Sequence, residues 1–176
     1  MSFKDADFSN YISEYENFPK SGILFRDISP LLASPVAMQA ALESFTNQLS
    51  HFNADMIVGI ESRGFLFSTL LAYRLGIGSL MIRKQGKLPG VVIKQNYALE
   101  YGKATLEIQN SAQIRGKSMI LIDDLLATGG TLKCAEDLIS FSKGTVVSSL
   151  VVIELVALSG KNKLNSTVHS LLKYAT

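Results

Sequence analysis

Residues 118–131 read SMILIDDLLATGGT. The apolar run from Ser118 to Asp124 has no polar alternation, as in a strand covered on both faces of a parallel sheet. ATGGT then puts two glycines and two hydroxyl residues where a helix starts, and helical spacing continues through Cys134, Leu138 and Phe141. The same order occurs upstream, with an apolar strand at Met56–Ile60, a loop ESRG, and helical spacing from Phe65 to Leu75. Ser79–Arg83 and the valine-rich Thr145–Glu154 read as further strands. Ser34 and Pro35 supply an N-cap and a first helical residue for a helix whose apolar face is Met38, Ala41, Leu42, Phe45 and Leu49. Buried strands alternating with helices predict an α/β fold, a central mostly parallel sheet flanked by helices. Ligands in such sheets sit beyond the carboxyl ends of the strands. That rule singles out Glu61–Gly64 and Asp123–Thr131.

Composition narrows the function classes. The chain has 176 residues, 47% hydrophobic and 18% charged, with mean hydropathy +0.23. These values exclude disordered and collagenous architectures and predict one domain over residues 1–176. A net charge of +2 gives no bulk reason to bind nucleic acid. The lone Cys134 excludes an internal disulfide and a cysteine-rich zinc site, and His51 and His169 are too few for a histidine cluster. The N-terminus lacks a secretory apolar core. The stretch Val146–Leu158 is too short for a membrane span and carries Glu154. The expectation is a cytoplasmic protein with no membrane partner.

The string at the end of the central strand carries the chemistry. Burying Asp123 and Asp124 as unpaired anions is costly, so both are expected to face a ligand or water. Ionised carboxylates only accept hydrogen bonds, and the hydroxyls of a vicinal diol donate them. Free amides and the positive end of a helix dipole at Ala127, Thr128, Gly129, Gly130 and Thr131 suit a phosphate. Diol plus phosphate describes a ribose 5-phosphate. A Walker A pattern is missing, and GIG at Gly76–Gly78 lacks the third glycine of a dinucleotide fingerprint.

Residues 83–105 hold Gly86, Pro89, Gly90, Gly102 and two short β-prone pieces, which predicts a projecting, mobile hairpin. Between 83 and 103, Arg83, Lys84, Lys87, Lys94 and Lys103 face Glu100 alone, a local charge of +4. Composition alone favours a solvated basic surface, with a nucleic-acid patch using Tyr97 and Tyr101 as the other reading.

The string IDDLLATGGT closely resembles the signature of type I phosphoribosyltransferases, in the form that the adenine-using members carry. PKSGILFRDISPLL near residue 20, VGIESRGFLF near 60, RKQGKLPG near 85, YALEYG near 100 and IELVALSG near 155 follow in the family's order and spacing. The resemblance implies the type I phosphoribosyltransferase fold with a small N-terminal hood, roughly residues 1–34, and a flexible hairpin flap. It implies transfer of ribose 5-phosphate from 5-phosphoribosyl 1-pyrophosphate to adenine, giving AMP and pyrophosphate for purine salvage. Asp123, Asp124 and Ala127–Thr131 would hold the ribose 5-phosphate, while Glu61, Ser62, Arg63 and Lys87 would meet pyrophosphate. The peptide after Glu61 is typically cis in this family. Arg63, Arg83, Lys84, Lys87 and Glu100 would act in catalysis, Glu100 by managing the adenine proton or stabilising the cationic ribose. Leu24, Phe25, Arg26 and Leu155 would contact adenine, with Phe25 stacking on the base and backbone groups at 24 and 26 reading its amino edge. The aspartate of 6-oxopurine enzymes is replaced by Ala127, which disfavours hypoxanthine and guanine. Magnesium is expected to arrive on the substrate, with no protein-built metal site. A homodimer is expected, one flap cation reaching the neighbouring subunit. A different base preference, or a regulator that only senses the ligand, are the other readings; retention of Arg63, Arg83, Lys84 and Lys87 weighs against the regulator.

Overall fold

The computed structural model describes residues 7–99, 102–110 and 113–175. In chain order the elements are β1 (Ser13–Glu16), β2 (Leu24–Asp27), α1 (Ser29–Ala33), α2 (Pro35–Gln48), β3 (Met56–Ile60), α3 (Gly64–Leu75) and β4 (Gly78–Lys84). There follow β5 (Val92–Leu99), β6 (Gly102–Gln109), β7 (Ser118–Leu126), α4 (Gly130–Phe141), β8 (Thr145–Leu155) and β9 (Thr167–Tyr174). Seven strands form one sheet in the order β5-β6-β4-β3-β7-β8-β9, and β1 and β2 pair separately as an antiparallel hairpin. β4, β3, β7, β8 and β9 are mutually parallel, whereas β5 and β6 run antiparallel at one edge.

Two apolar layers cover the sheet. On one face Val58, Ile60, Ile82, Leu121 and Val151 meet Leu132, Ala135, Leu138 and Ile139 of α4. On the other, Ile57, Ile120, Ile122, Leu150 and Val152 meet Phe45 of α2 and Phe67 and Leu71 of α3. A central strand buried on both faces needs apolar residues at every position, which is why β3 and β7 lack alternation. Ser34 caps α2 through its side chain, which accepts from Ala37 N at 3.2 Å, and Pro35 opens the helix. The buried face of α2 is Ala37, Ala40, Ala41 and Phe45, and Met38 and Leu42 pack at its margin.

Two sequence expectations change. The flap strands are not short pieces: each has eight residues, reaching Gln109, and β6 pairs with β4 through Arg83↔Glu107 and Lys84↔Leu106. Its lower half therefore belongs to the main sheet, with Leu106 and Ile108 buried in the core and Tyr97 packed against it. α4 ends at Phe141, as its helical spacing predicts, with that residue exposed. The segment after residue 160, where no element was expected, adds β9 as a parallel edge strand beside β8.

On β9, His169 meets the ring of Phe52 edge-on at 5.8 Å, and its Nε2 is buried without a hydrogen-bond partner among the described residues. Burial pushes its pKa below the ordinary value. The fold therefore favours the neutral ring, so this contribution is present above about pH 6.5, the ordinary histidine value, and fades as pH falls and the unfolded chain protonates first. His169→Gln is expected to narrow the gap between urea midpoints measured at pH 7.5 and 5.5, relative to the parent.

Candidate functional site

Asp123 and Asp124 lie at the carboxyl end of β7, which runs on to Leu126. Each is only 8% exposed, so little water reaches either. One cause is the close seating of α3. A Cβ added to Gly64, the first residue of α3, would lie 2.6 Å from the carbonyl oxygen of Ile122, so only glycine lets the two loops meet. Asp123 accepts the amide of Asp124 at 2.9 Å. Burial, and next the charge of Asp124, push its carboxyl well above the usual carboxylate range. Asp124 in turn meets Arg63 Nε at 2.6 Å. The inner acid is thus pushed toward its neutral form, with a guanidinium set against the outer one.

Downstream, α4 begins at Gly130 after Gly129, whose φ is +79°. No side chain caps the helix, so its first amides are open to an anion. Behind this loop stands Gly160, which the sequence reading left without a role. A Cβ on Gly129 would lie 2.3 Å from the Gly160 carbonyl oxygen, and a Cβ on Gly160 would lie 2.2 Å from the Ala127 carbonyl oxygen. Two main chains touch here. The only signal for it was a small-residue pair, Ser159-Gly160, at the end of IELVALSG.

The second loop is Glu61–Gly64, with a cis peptide between Glu61 and Ser62. Glu61 accepts Arg83 Nη2 at 2.9 Å and the Lys84 amide at 2.9 Å, while Arg83 Nη1 donates to the Lys87 carbonyl at 3.1 Å. The Arg83 hydrogen bond holds the Glu61 carboxyl below its usual range. Arg63 is not paired with its sequence neighbour Glu61, because the register Ile60↔Ile82 puts Arg83 there first. Glu61 thus turns its carboxylate to the base of the flap, leaving its loop to approach a polyanion through main-chain amides and Arg63.

The local charge of +4 also needs amending. Lys94 pairs at 3.0 Å with Glu107 of β6, a buried carboxylate that accepts the Gly86 amide at 3.0 Å as well. With Arg83 and Lys94 matched, Lys84 and Lys87 are the exposed flap cations that enter no salt bridge among the described residues. Glu100, and with it Tyr101, lies outside the described residues, as do the side chain of Lys103 and its surroundings.

The hairpin β1–β2 brings the remaining residues to the same mouth. Phe25 is half-buried and meets Phe18 edge-on at 5.1 Å. The Arg63 guanidinium stands 5.7 Å from the Phe25 ring centroid, so one side chain borders both the Asp124 carboxylate and the aromatic face. Leu24 is exposed, and Leu155 is half-buried at the end of β8. The side chain of Arg26 points away from a base role, pairing with Glu14 at 3.2 Å and lying over Tyr174.

Residues 32–169 match the phosphoribosyl transferase domain. An adenine phosphoribosyltransferase of Drosophila pseudoobscura pseudoobscura is 50% identical over 93% of this chain and 91% of its own length. That of Gluconobacter oxydans (strain 621H) is 47% identical over 99% of both chains. The crystal structure of the Saccharomyces cerevisiae enzyme, complexed with D-2,5-dideoxy-2,5-imino-altritol 1,6-bisphosphate and adenine, superposes with a TM-score of 0.90 at 39% identity, covering 94% of this chain and 97% of that one. A matched domain, near-complete coverage and a shared sheet place the chain in the phosphoribosyltransferase family, among its adenine phosphoribosyltransferases.

Proposed function

We propose that this chain transfers the 5-phosphoribosyl group from 5-phosphoribosyl 1-pyrophosphate to adenine, yielding AMP and pyrophosphate. The observation that carries this is the placement of Arg63 between Asp124 and the Phe25 ring, which makes a diol-binding acid, an aromatic platform and a cation neighbours in one mouth. A base on Phe25 and a ribose on the acids are then joined through the anomeric carbon. The bond from that carbon to the pyrophosphate oxygen breaks, its electron pair leaving with pyrophosphate. A bond from an adenine nitrogen forms, and adenine gives up a proton, for which Glu100 is the acceptor in our reading.

Positive charge grows on the ribose ring as this happens, and negative charge on the leaving group. Asp124 sits beside the first, and Arg63, Lys84 and Lys87 answer the second, so catalysis rests on positioned charge. The amides of Ala127–Thr131 hold the 5-phosphate, and a closing flap keeps water from the activated carbon. Phe25 and Leu155 sandwich the base, and main-chain groups at Leu24 and Arg26 read its edge. Ser62 contributes its amide to pyrophosphate. Asp123 and Asp124 are the carboxylates that would border a magnesium ion carried in on the substrate, and such an ion would supply neutralisation of the departing pyrophosphate. Among the described residues no group of three or more His, Cys, Asp or Glu converges.

Leu66, Leu70 and Tyr73 lie one turn apart on α3, 46%, 42% and 88% exposed, and Met81 of β4 is 47% exposed. An apolar stripe of this kind suits burial against a second copy, which supports a homodimer. No described helix is long and apolar enough to cross a membrane, consistent with a cytoplasmic enzyme that returns free adenine to the nucleotide pool.

The test is pyrophosphate release with magnesium and adenine, guanine, hypoxanthine, orotate or uracil in separate reactions. Adenine alone is expected to support turnover. Release with guanine but not adenine would overturn the base assignment, and binding without release for every base would favour the regulator. Sedimentation at micromolar concentration tests the dimer. The role of Glu61 is tested by Glu61→Gln, which loses the charge that fixes Arg83 and the Lys84 amide. Loss of a charge-assisted hydrogen bond of about 1.5 kcal/mol corresponds to roughly a tenfold rise in KM for pyrophosphate in the reverse reaction. An unchanged KM would remove Glu61 from that role.

A further inference from the structure

Tyr174 ends β9, and it lies beside the base pocket rather than in it. Its strand pairs in parallel with β8 so that Tyr174 stands opposite Leu155, the residue assigned to one face of the base. Its ring lies under the Arg26 guanidinium, whose Cζ is 4.1 Å from the ring centroid. Arg26 is itself drawn to Glu14 at 3.2 Å, across the hairpin from it in register, and its side chain is only 7% exposed. A buried guanidinium held against an aromatic face and a carboxylate is a directional joint, because a rigid planar group meets both together in one orientation. The hairpin β1–β2 has no place in the main sheet. This stack therefore ties it to the sheet at the position next to Phe25.

We propose that Tyr174 is a positioning residue for adenine. It holds Arg26, and through Arg26 fixes the height of the Leu24–Arg26 backbone and the Phe25 ring above Leu155. The residue touches no substrate. Its effect falls first on the base, because the ribose, phosphate and pyrophosphate groups are assigned to β7, α4 and the Glu61–Gly64 loop, which meets the hairpin through Arg63 beside the Phe25 ring. This inference rests on the assignment of the hairpin to adenine.

The expected signature is a split in kinetic constants. Tyr174→Leu keeps apolar volume but loses the aromatic face, and should raise KM for adenine about tenfold with KM for 5-phosphoribosyl 1-pyrophosphate within twofold of the parent. Tyr174→Phe, which keeps the ring, should restore the adenine KM. Arg26→Gln should match Tyr174→Leu, and the double variant should be no worse than either single one. A parallel rise of both KM values, Tyr174→Phe as impaired as Tyr174→Leu, or additive losses in the double variant would each overturn the clasp. Should the Leu variant fail to fold, Arg26→Gln with and without Tyr174→Phe carries the same comparison. The parent's base panel keeps the two inferences apart: if the parent uses another base and these variants raise that base's KM, the clasp stands and only the adenine assignment falls.

Discussion

Asp124→Asn is expected to lower kcat/KM for 5-phosphoribosyl 1-pyrophosphate by about 100-fold, equivalent to about 2.7 kcal/mol of lost transition-state stabilisation. Asparagine keeps the shape and one acceptor oxygen. What it removes is a negative charge, set at the strand end where we propose that the ribose ring becomes cationic. A hydrogen bond to a charged acceptor is worth about 1.5–3 kcal/mol, and the charge counts for more in a water-excluded mouth. The substitution also releases Arg63, now 2.6 Å from that carboxylate, from its partner. A second readout follows from the neighbour. Asp123 is held above the usual carboxylate range by burial first and by Asp124 second, so removing the Asp124 charge lets the Asp123 pKa move down. The acid limb of the kcat/KM profile should shift to lower pH, although only in part, since burial remains. Steady-state kinetics from pH 5 to 9 measure both effects. Parent-like kcat/KM together with an unmoved acid limb would remove the ribose from this pair of acids.

The sheet was legible from sequence where burial is complete. Strands β3, β7 and β8 contribute to both apolar layers, so each carries an apolar run, at residues 56–60, 119–122 and 150–153. At the edges the same physics weakens. β9 carries Thr167, His169, Ser170 and Lys173 among its apolar residues, because an edge strand needs only partial cover, and so it gave no run. In β6 the buried Glu107 interrupts an otherwise apolar stretch; its cost is met by Lys94 and the Gly86 amide, partners that appear only once β5 folds back. The site shows the same division. The types of residue at Asp123, Asp124 and Ala127–Thr131 already pointed to a strand end and a helix start with acids and open amides together. The pairing of Arg83 with Glu61 and of Arg63 with Asp124 gave no such signal, since it depends on the one-to-one register of β3 against β4. The tyrosine beneath Arg26 was equally hidden, being separated from it by nearly the whole chain.

Gly160→Ala is expected to cost about 2–4 kcal/mol of stability, because it overpacks main chain against main chain, and to depress kcat/KM by two to three orders of magnitude, since a misplacement of about 1 Å already costs about 100-fold. The new methyl group would sit 2.2 Å from the Ala127 carbonyl oxygen, 2.8 Å from the Gly129 nitrogen and 2.9 Å from Leu126 Cδ1. Two of those atoms are main chain, with no side chain to swing aside. Relief needs main-chain movement, either at Gly160 itself or at residues 127–129, the segment we propose presents amides to the 5-phosphate. Gly129→Ala should do similar harm, but it mixes two causes, since its φ of +79° strains any alanine before the 2.3 Å contact with the Gly160 carbonyl is counted. Gly76→Ala separates them: its φ is +68° with nothing within 4 Å of the added carbon, so it should lose about 1–2 kcal/mol of stability and no activity. Gly160 itself has no positive φ, so its whole effect is contact. Urea midpoints and KM for 5-phosphoribosyl 1-pyrophosphate, measured on all three variants, separate strain from contact. A Gly160→Ala enzyme with parent-like KM would mean that the phosphate loop does not need the support of the chain behind it, and that the amides of α4 hold their aim without help from the segment after β8.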